Sequence, residues 1–260
     1  MKIGVFDSGL GGVIIATELA NLFPSEDIVC VADSKNFPYG TKSDQELRLI
    51  LEDMISSLEQ LQVDIIVVAC NTASALIDRY NLTSRVPLIT IIDLTVDYAL
   101  EIGKHDQFLI LGTTSTINSN VYVHKLRHKS RQALGYDCQP LVSLVETGRS
   151  EYGNLHDTLK EYFNGFKQQD KYNIILGCTH FLLLREDIQA LFPKSVVINP
   201  IRPLQRVLQN LLVSTEHDGD KGSLVIFSTA DSQGLTERTR DLLGDSEIQV
   251  LLLQQTVEVE

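Results

Sequence analysis

The stretch "VVACNTASALI" (residues 67–77) decides the fold: an apolar run of strand length meets small polar residues at Cys70, just before a helical pattern begins. A second stretch, "IILGCTHFLLL" (residues 174–184), repeats the arrangement around Cys178. Short apolar runs that alternate with segments of helical period are the units of a parallel α/β fold. The interval from Cys70 to Cys178 equals the interval from Cys30 to Cys138. The opening strand in "IGVFDSGLGG" (residues 3–12) has a counterpart near that offset in "FLILGTTSTI" (residues 108–117). Three matches in register imply an internal repeat of two similar α/β units.

Strand candidates lie at residues 3–6, 28–32, 65–69, 88–92, 108–111, 138–142, 174–176, 196–198, 224–228 and 250–253. Between them, "VIIATELANLF" (13–23), "SDQELRLILEDMISSLEQL" (43–61) and "FLLLREDIQALF" (181–192) read as helices, the last two with apolar residues three and four apart. Strands this apolar on both faces need helices on both sides. The expected fold class is therefore α/β, with two similar parallel-sheet domains facing each other across a central cleft in a pseudo-twofold arrangement. Residues 1–93, completed by about 205–260, would form the first domain, carrying Asp7 and Cys70. Residues 94–204 would form the second, carrying Glu146, Cys178 and His180.

Composition narrows the chemistry. The chain has 260 residues, 43% hydrophobic and 22% charged, with a formal net charge of −12. That charge argues against nucleic acid or anionic membrane as partner. The one basic cluster, "HKLRHKSR" (124–131), reads as a solvated helix face. The start "MKIGVFDSG" enters a strand pattern with no charged leader or cleavage site. No apolar stretch approaches the roughly 18 residues that span a bilayer, so a cytoplasmic protein is expected. The four cysteines form no C-x-x-C pair, which removes the usual signatures of thioredoxin-like redox chemistry and zinc-ribbon ligation. Buried, inert thiols remain the plain alternative, and Cys30 inside "DIVCVAD" fits it.

The loops after the strands carry the chemistry. In open parallel sheets ligands bind beyond the carboxyl ends of the strands, where the loops at 7–12, 70–72, 112–116 and 178–180 all fall. "DSGLGG" (7–12) fails the dinucleotide pattern, since Ile14 stands three residues after Gly11, and lacks the G-K-[ST] of a P-loop. Its glycines and helix-opening N–H groups suit a small carboxylate. A thiol at a helix N-terminus is biased toward thiolate. Helix capping alone would also explain the polar residues after each cysteine. A cysteine protease uses one activated thiol and leaves the second unexplained. Inversion at a carbon bearing hydrogen requires two opposed groups, one removing a proton and one delivering it. The paired thiols favour that reaction. His180 follows Cys178 by two residues, Asp7 can approach Cys70 across neighbouring loops, and Glu146, after the strand expected at 138–142, stands where a carboxylate can orient His180.

Taken together, "GVFDSGLGG" (4–12), "FPYGTK" (37–42), "VVACNTASA" (67–75), "LGTTSTINSNVY" (111–122), "LVETG" (144–148) and "LGCTHFLLLR" (176–185) resemble the glutamate racemases of the cofactor-independent aspartate/glutamate racemase superfamily. The resemblance covers most of the chain. It implies two facing α/β domains with Cys70 and Cys178 as catalytic acid/bases, assisted by Asp7, His180 and Glu146. It implies that Asp7, Ser8, Tyr39, Gly40, Asn71, Thr72, Thr179 and His180 hold glutamate. It implies neither pyridoxal phosphate nor metal, a homodimer, and D-glutamate made for peptidoglycan. Three positions depart from the family pattern: Leu182 where a proline is common, Asp93-Leu94 where Glu-Pro is frequent, and Asn199 where an aspartate is usual. They keep two alternatives open, a racemase for aspartate or another acidic amino acid, and a weakly active racemase-like protein that acts by binding a partner.

Overall fold

The structure is a computed structural model that describes residues 1–146, 155–166, 171–212, 221–243 and 249–253. The chain runs β1 (Lys2–Asp7), α1 (Leu10–Leu22), β2 (Asp27–Ala32), α2 (Asp44–Gln60), β3 (Ile65–Val68), α3 (Asn71–Tyr80), β4 (Leu88–Thr90), α4 (Ile91–Ile102) and β5 (Gln107–Gly112). It continues through α5 (Thr114–Asn118), α6 (Val121–His128), β6 (Gln132–Asp137), α7 (Gln139–Glu146), α8 (Leu155–Tyr162), β7 (Asn173–Gly177), α9 (Arg185–Leu191) and β8 (Val196–Ile198). α10 (Ile201–Leu212), β9 (Leu224–Ser228), α11 (Ser232–Leu243) and β10 (Val250–Leu252) follow.

Two parallel sheets result, ordered β10-β9-β2-β1-β3-β4 and β6-β5-β7-β8. The expected two-domain α/β class is what the chain forms. Side chains alternate across each strand: Ile3 and Val5 pack with α1 and α10, while Phe6 packs with α2 and α3. In the second sheet Leu109 and Leu111 pack with α7 and α9, and Phe108 and Ile110 with α6. Helix α2 shows why these segments become helices. Ser43 caps it by accepting from Glu46 N–H, and Leu47, Leu51, Met54, Ile55 and Leu58 bury one face, each such side chain stabilising by about 1.5–3 kcal/mol. The chain returns to the first sheet through α10, whose Leu204, Leu208 and Leu212 join the core beside α1. Among the described residues no helix is long and apolar enough to cross a membrane.

Three expectations are corrected. The strand expected at 138–142 does not exist, because β6 ends at Asp137 and α7 starts at Gln139. Its apolar residues Leu141, Val142 and Val145 form the inner stripe of a helix, whereas the true strand is an edge whose Leu134 is exposed. The match between Cys30 and Cys138 is then coincidental. Asp7 pairs with Ala32 and Gly112 with Asp137 at the strand ends, so Cys30 lies inside β2 while Cys138 lies just past β6. The segment 181–192 is not one helix: a 3-10 turn covers Thr179–Leu182 before α9. Leu182 and Leu183 use the break to pack into the cores of both sheets. The remaining departures also have local roles. Leu94 packs beside the α1 core, Asp93 pairs with Lys125 at 2.5 Å, and Asn199 Oδ1 accepts the Ile201 N–H at 3.1 Å to open α10.

Candidate active site

Four strand ends meet. Asp7 closes β1 and is fully buried. Its Oδ1 accepts the Gly9 N–H at 3.1 Å, and its Oδ2 accepts the Thr179 hydroxyl, also at 3.1 Å, from beyond β7. The close approach explains the glycines in "DSGLGG". A Cβ on Gly11 would lie 2.0 Å from Thr179 Oγ1, and one on Gly12 would lie 2.5 Å from Asp7 Cβ. The loops after β3 and β5 are joined similarly, with the Thr72 hydroxyl 2.9 Å from that of Thr113 and 3.3 Å from that of Thr116.

Cys70 stands at the N-cap of α3 and is 7% exposed; Cys178, 6% exposed, has extended backbone before the 3-10 turn. Only Cys70 therefore faces the N-terminus of a full α-helix. Burial pushes the Cys70 thiol well up and the nearby Asp7 carboxyl adds to this, against a smaller pull from the Ala73 and Thr72 N–H groups. Cys178 has a different environment: its Sγ lies 3.7 Å from His180 Nδ1, and His180 Nε2 lies 2.6 Å from Glu146 Oε1. Burial disfavours charge on His180, but the bonds to Cys178 and Glu146 outweigh it and hold the imidazolium well above its usual range. Glu146 is held low: burial works against its ionisation, and the His180 hydrogen bond and charge, the Leu10 N–H and Arg238 prevail. Burial raises Asp7, with His180 opposing.

These groups surround a narrow cleft. From the first unit Ser8, Tyr39, Gly40, Cys70, Asn71 and Thr72 line it; from the second, Thr179, His180 and Cys178 do. Asp7 and Glu146 stand behind that wall. The Tyr39 hydroxyl points to Asp33 Oδ2 at 2.7 Å. Tyr122 donates to Asn71 Oδ1 at 2.6 Å, leaving Asn71 Nδ2 buried with no hydrogen-bond partner among the described residues. A buried, unpaired amide donor on a cleft wall is a ready anchor for an anionic ligand.

Glu146 lies on α7 rather than in a loop after a strand; Thr147 and Gly148 of the "LVETG" stretch lie outside the described residues. Sequence reasoning missed Phe37, Thr113, Gln139 and Val142, which also line the cleft. Thr113 was visible as the polar residue following β5, the position that Ser8 holds after β1. Gln139 and Val142 were hidden by reading their helix as a strand.

The family model for Asp/Glu/Hydantoin racemase matches residues 14–203. A glutamate racemase of Sulfurihydrogenibium is 31% identical over 94% of this chain and 95% of its own. Among solved structures, a glutamate racemase isoform from Bacillus anthracis superposes with a TM-score of 0.87 at 25% identity, covering 99% of this chain and 98% of that one. A glutamate racemase from Francisella tularensis, solved in complex with D-glutamate, gives 0.84 at 26% identity and 97% of each chain. With the family model spanning most of its length and full-length relatives beside it, this chain belongs to the Asp/Glu/hydantoin racemase family.

Proposed function

We propose that this chain is a glutamate racemase that interconverts L- and D-glutamate by proton transfer between two thiols, supplying D-glutamate for peptidoglycan. The observation that carries the reading is that Cys70 and Cys178, each following a strand of a different sheet, line the same cleft.

The unequal surroundings of the thiols suggest the resting state. Cys70 carries its proton in a buried setting, whereas Cys178 Sγ lies against His180 Nδ1 at 3.7 Å. In one direction Cys178, as thiolate, removes the α-proton from one face of the substrate. Cys70 then delivers a proton to the opposite face, and the thiol states are exchanged. The reverse reaction starts from that exchanged state. Asp7 supports Cys70, and Glu146 keeps His180 protonated and oriented. The Asn71 amide, the hydroxyls of Ser8, Thr72 and Thr179, and the surroundings of Tyr39, Gly40 and His180 hold the substrate's carboxylates and amino group. Neutralising the α-carboxylate matters because it lowers the barrier to removing the α-proton. The division into 1–93 with 205–260 and 94–204, homodimeric assembly, a cytoplasmic location and independence of any cofactor belong to the same proposal, supported by the likeness to the racemases.

The test follows solvent deuterium into the α-position of L- and D-glutamate and L- and D-aspartate. Racemisation of glutamate with α-exchange is expected. Racemisation without exchange would refute the two-base mechanism, and faster turnover of aspartate would reassign the substrate. Cys70→Ala and Cys178→Ala should each abolish racemisation.

A further inference from the structure

We propose that Arg238, on the C-terminal helix α11, is a positioning residue for proton transfer, holding Glu146 ionised and aimed at His180. The proposal rests on the reading of Glu146 and His180 as the acid/base support of Cys178.

Glu146 Oε1 is already taken by His180 Nε2 at 2.6 Å and by the Leu10 N–H at 3.2 Å. Its Oε2 faces Arg238 Nε at 3.6 Å. Arg238 Nη1 lies 3.5 Å from Asp231 Oδ2. Leu235, one turn earlier on α11, is buried in the core beside α1, which fixes the face of the helix that carries Arg238. Arg238 Nε is buried without a hydrogen bond among the described residues, so the guanidinium, with Nε toward Glu146 and Nη1 toward Asp231, is fully committed to neither carboxylate. The two carboxylates differ in solvent: the Glu146 side chain is 15% exposed and that of Asp231 is 59% exposed. The Asp231 contact is therefore the more screened, and the cation acts mainly on Glu146.

The other titratable groups facing Glu146 are His180 and, further along the same network, Asp7 and Cys178. Glu146 opposes ionisation of Asp7, and the two cations favour ionisation of Glu146. Without Arg238 the carboxylate is left with His180 as its one cationic neighbour among the described residues, and it takes up a proton at higher pH. A protonated Glu146 no longer holds the His180 imidazolium against Cys178.

The test compares wild type with Arg238→Gln, Arg238→Lys and Asp231→Asn. It reads the ¹⁵N ring shifts of His180 against pH and the pH profile of kcat/KM with glutamate. In Arg238→Gln the acid transition of His180 and the acid limb of kcat/KM should both move up by about half to one pH unit. The alkaline plateau should change far less, and Arg238→Lys should restore most of the shift. Asp231→Asn keeps the oxygen that accepts the Gly234 N–H and should move both transitions down. A folded Arg238→Gln with unshifted transitions overturns the proposal. If that variant does not fold, unshifted transitions in Arg238→Met, which also removes the cation, do so. Wild type that titrates as described but does not turn over glutamate refutes the assigned reaction and leaves the charge coupling standing.

Discussion

Thr179 donates its hydroxyl to Asp7 across 3.1 Å, so the carboxylate ending the first strand of one sheet is held by the loop that follows a strand of the other. The same crossing recurs where Leu10 N–H reaches Glu146 and where Thr72 meets Thr113. Asp7, Glu146 and Thr72 are thus each positioned partly by the opposite unit, which sets the side chains around the proposed thiol pair before substrate arrives.

Asp7→Asn separates function from stability. Burial raises the Asp7 carboxyl above its ordinary value of 3.8. A raised folded value stabilises fully below the unfolded value and loses that contribution as pH rises through the folded one. Above the unfolded value, ionising Asp7 therefore burdens the fold. Asn keeps the size and can still accept from Gly9. At neutral pH its Tm should rise by about 2–4 °C, with no gain under acid conditions, while kcat/KM falls at least about tenfold. Calorimetry at two pH values and a racemisation assay check both parts.

Gly11→Ala should disable the protein without touching a charged group. The added Cβ would overlap Thr179 Oγ1 at 2.0 Å and Thr179 Cβ at 2.5 Å, and the segments that meet there hold Asp7 and His180. Overpacking of this kind costs about 1–3 kcal/mol. A lower Tm with a loss of kcat/KM of roughly 100-fold is expected, and wild-type kinetics would show that the loops yield easily.

His180→Asn tests the relay. Enantiomers have equal free energy, so any substitution must lower kcat/KM by the same factor in both directions; asymmetry can appear only in kcat and KM separately. A loss of roughly 100-fold is expected, unequal in kcat because His180 contacts Cys178 alone of the two thiols among the described residues. His180 is held well above its ordinary 6.5. Its stabilisation is complete below that unfolded value and is lost as pH rises through the folded one. The wild-type Tm should therefore fall more steeply on the alkaline side than that of His180→Asn, a difference a thermal scan series would reveal.

The fold was legible because strands buried on both faces are nearly continuous apolar runs: 65–69, 108–111 and 224–228 coincide closely with β3, β5 and β9. The exception is instructive. Edge strand β6, "QALGYD", buries little and lacks that pattern, and the neighbouring "LVSLV" drew the strand assignment to itself. Cys70, Cys178 and His180 were readable because chemistry bound to local sequence sits at strand ends. The partners of Asp7 and Glu146 were less so, since Arg238 and Leu10 reach Glu146 from distant segments that no local spacing connects. Leu182 departs from the family pattern yet serves both cores. Leu182→Ala should cost about 1–3 kcal/mol, measurable by denaturant unfolding.

Tyr122→Phe isolates substrate anchoring from proton transfer. The Tyr122 hydroxyl fixes Asn71 Oδ1 at 2.6 Å, and Nδ2 of this cleft-lining residue has no hydrogen-bond partner among the described residues. Removing the hydroxyl frees the amide to rotate and leaves its oxygen unsatisfied, while both thiols, Asp7 and the His180–Glu146 pair stay where they are. The side chain is otherwise apolar and buried, so Phe fills the same space. An anchor used equally by ground and transition states changes KM and leaves kcat alone. Steady-state kinetics should show KM for glutamate rising roughly five- to tenfold, the scale of a lost hydrogen bond of about 1–1.5 kcal/mol. Asn71→Ala should give a similar rise, and adding Tyr122→Phe to it should do nothing more. Two independent rises that multiply would mean that Tyr122 acts on the substrate by a route other than Asn71.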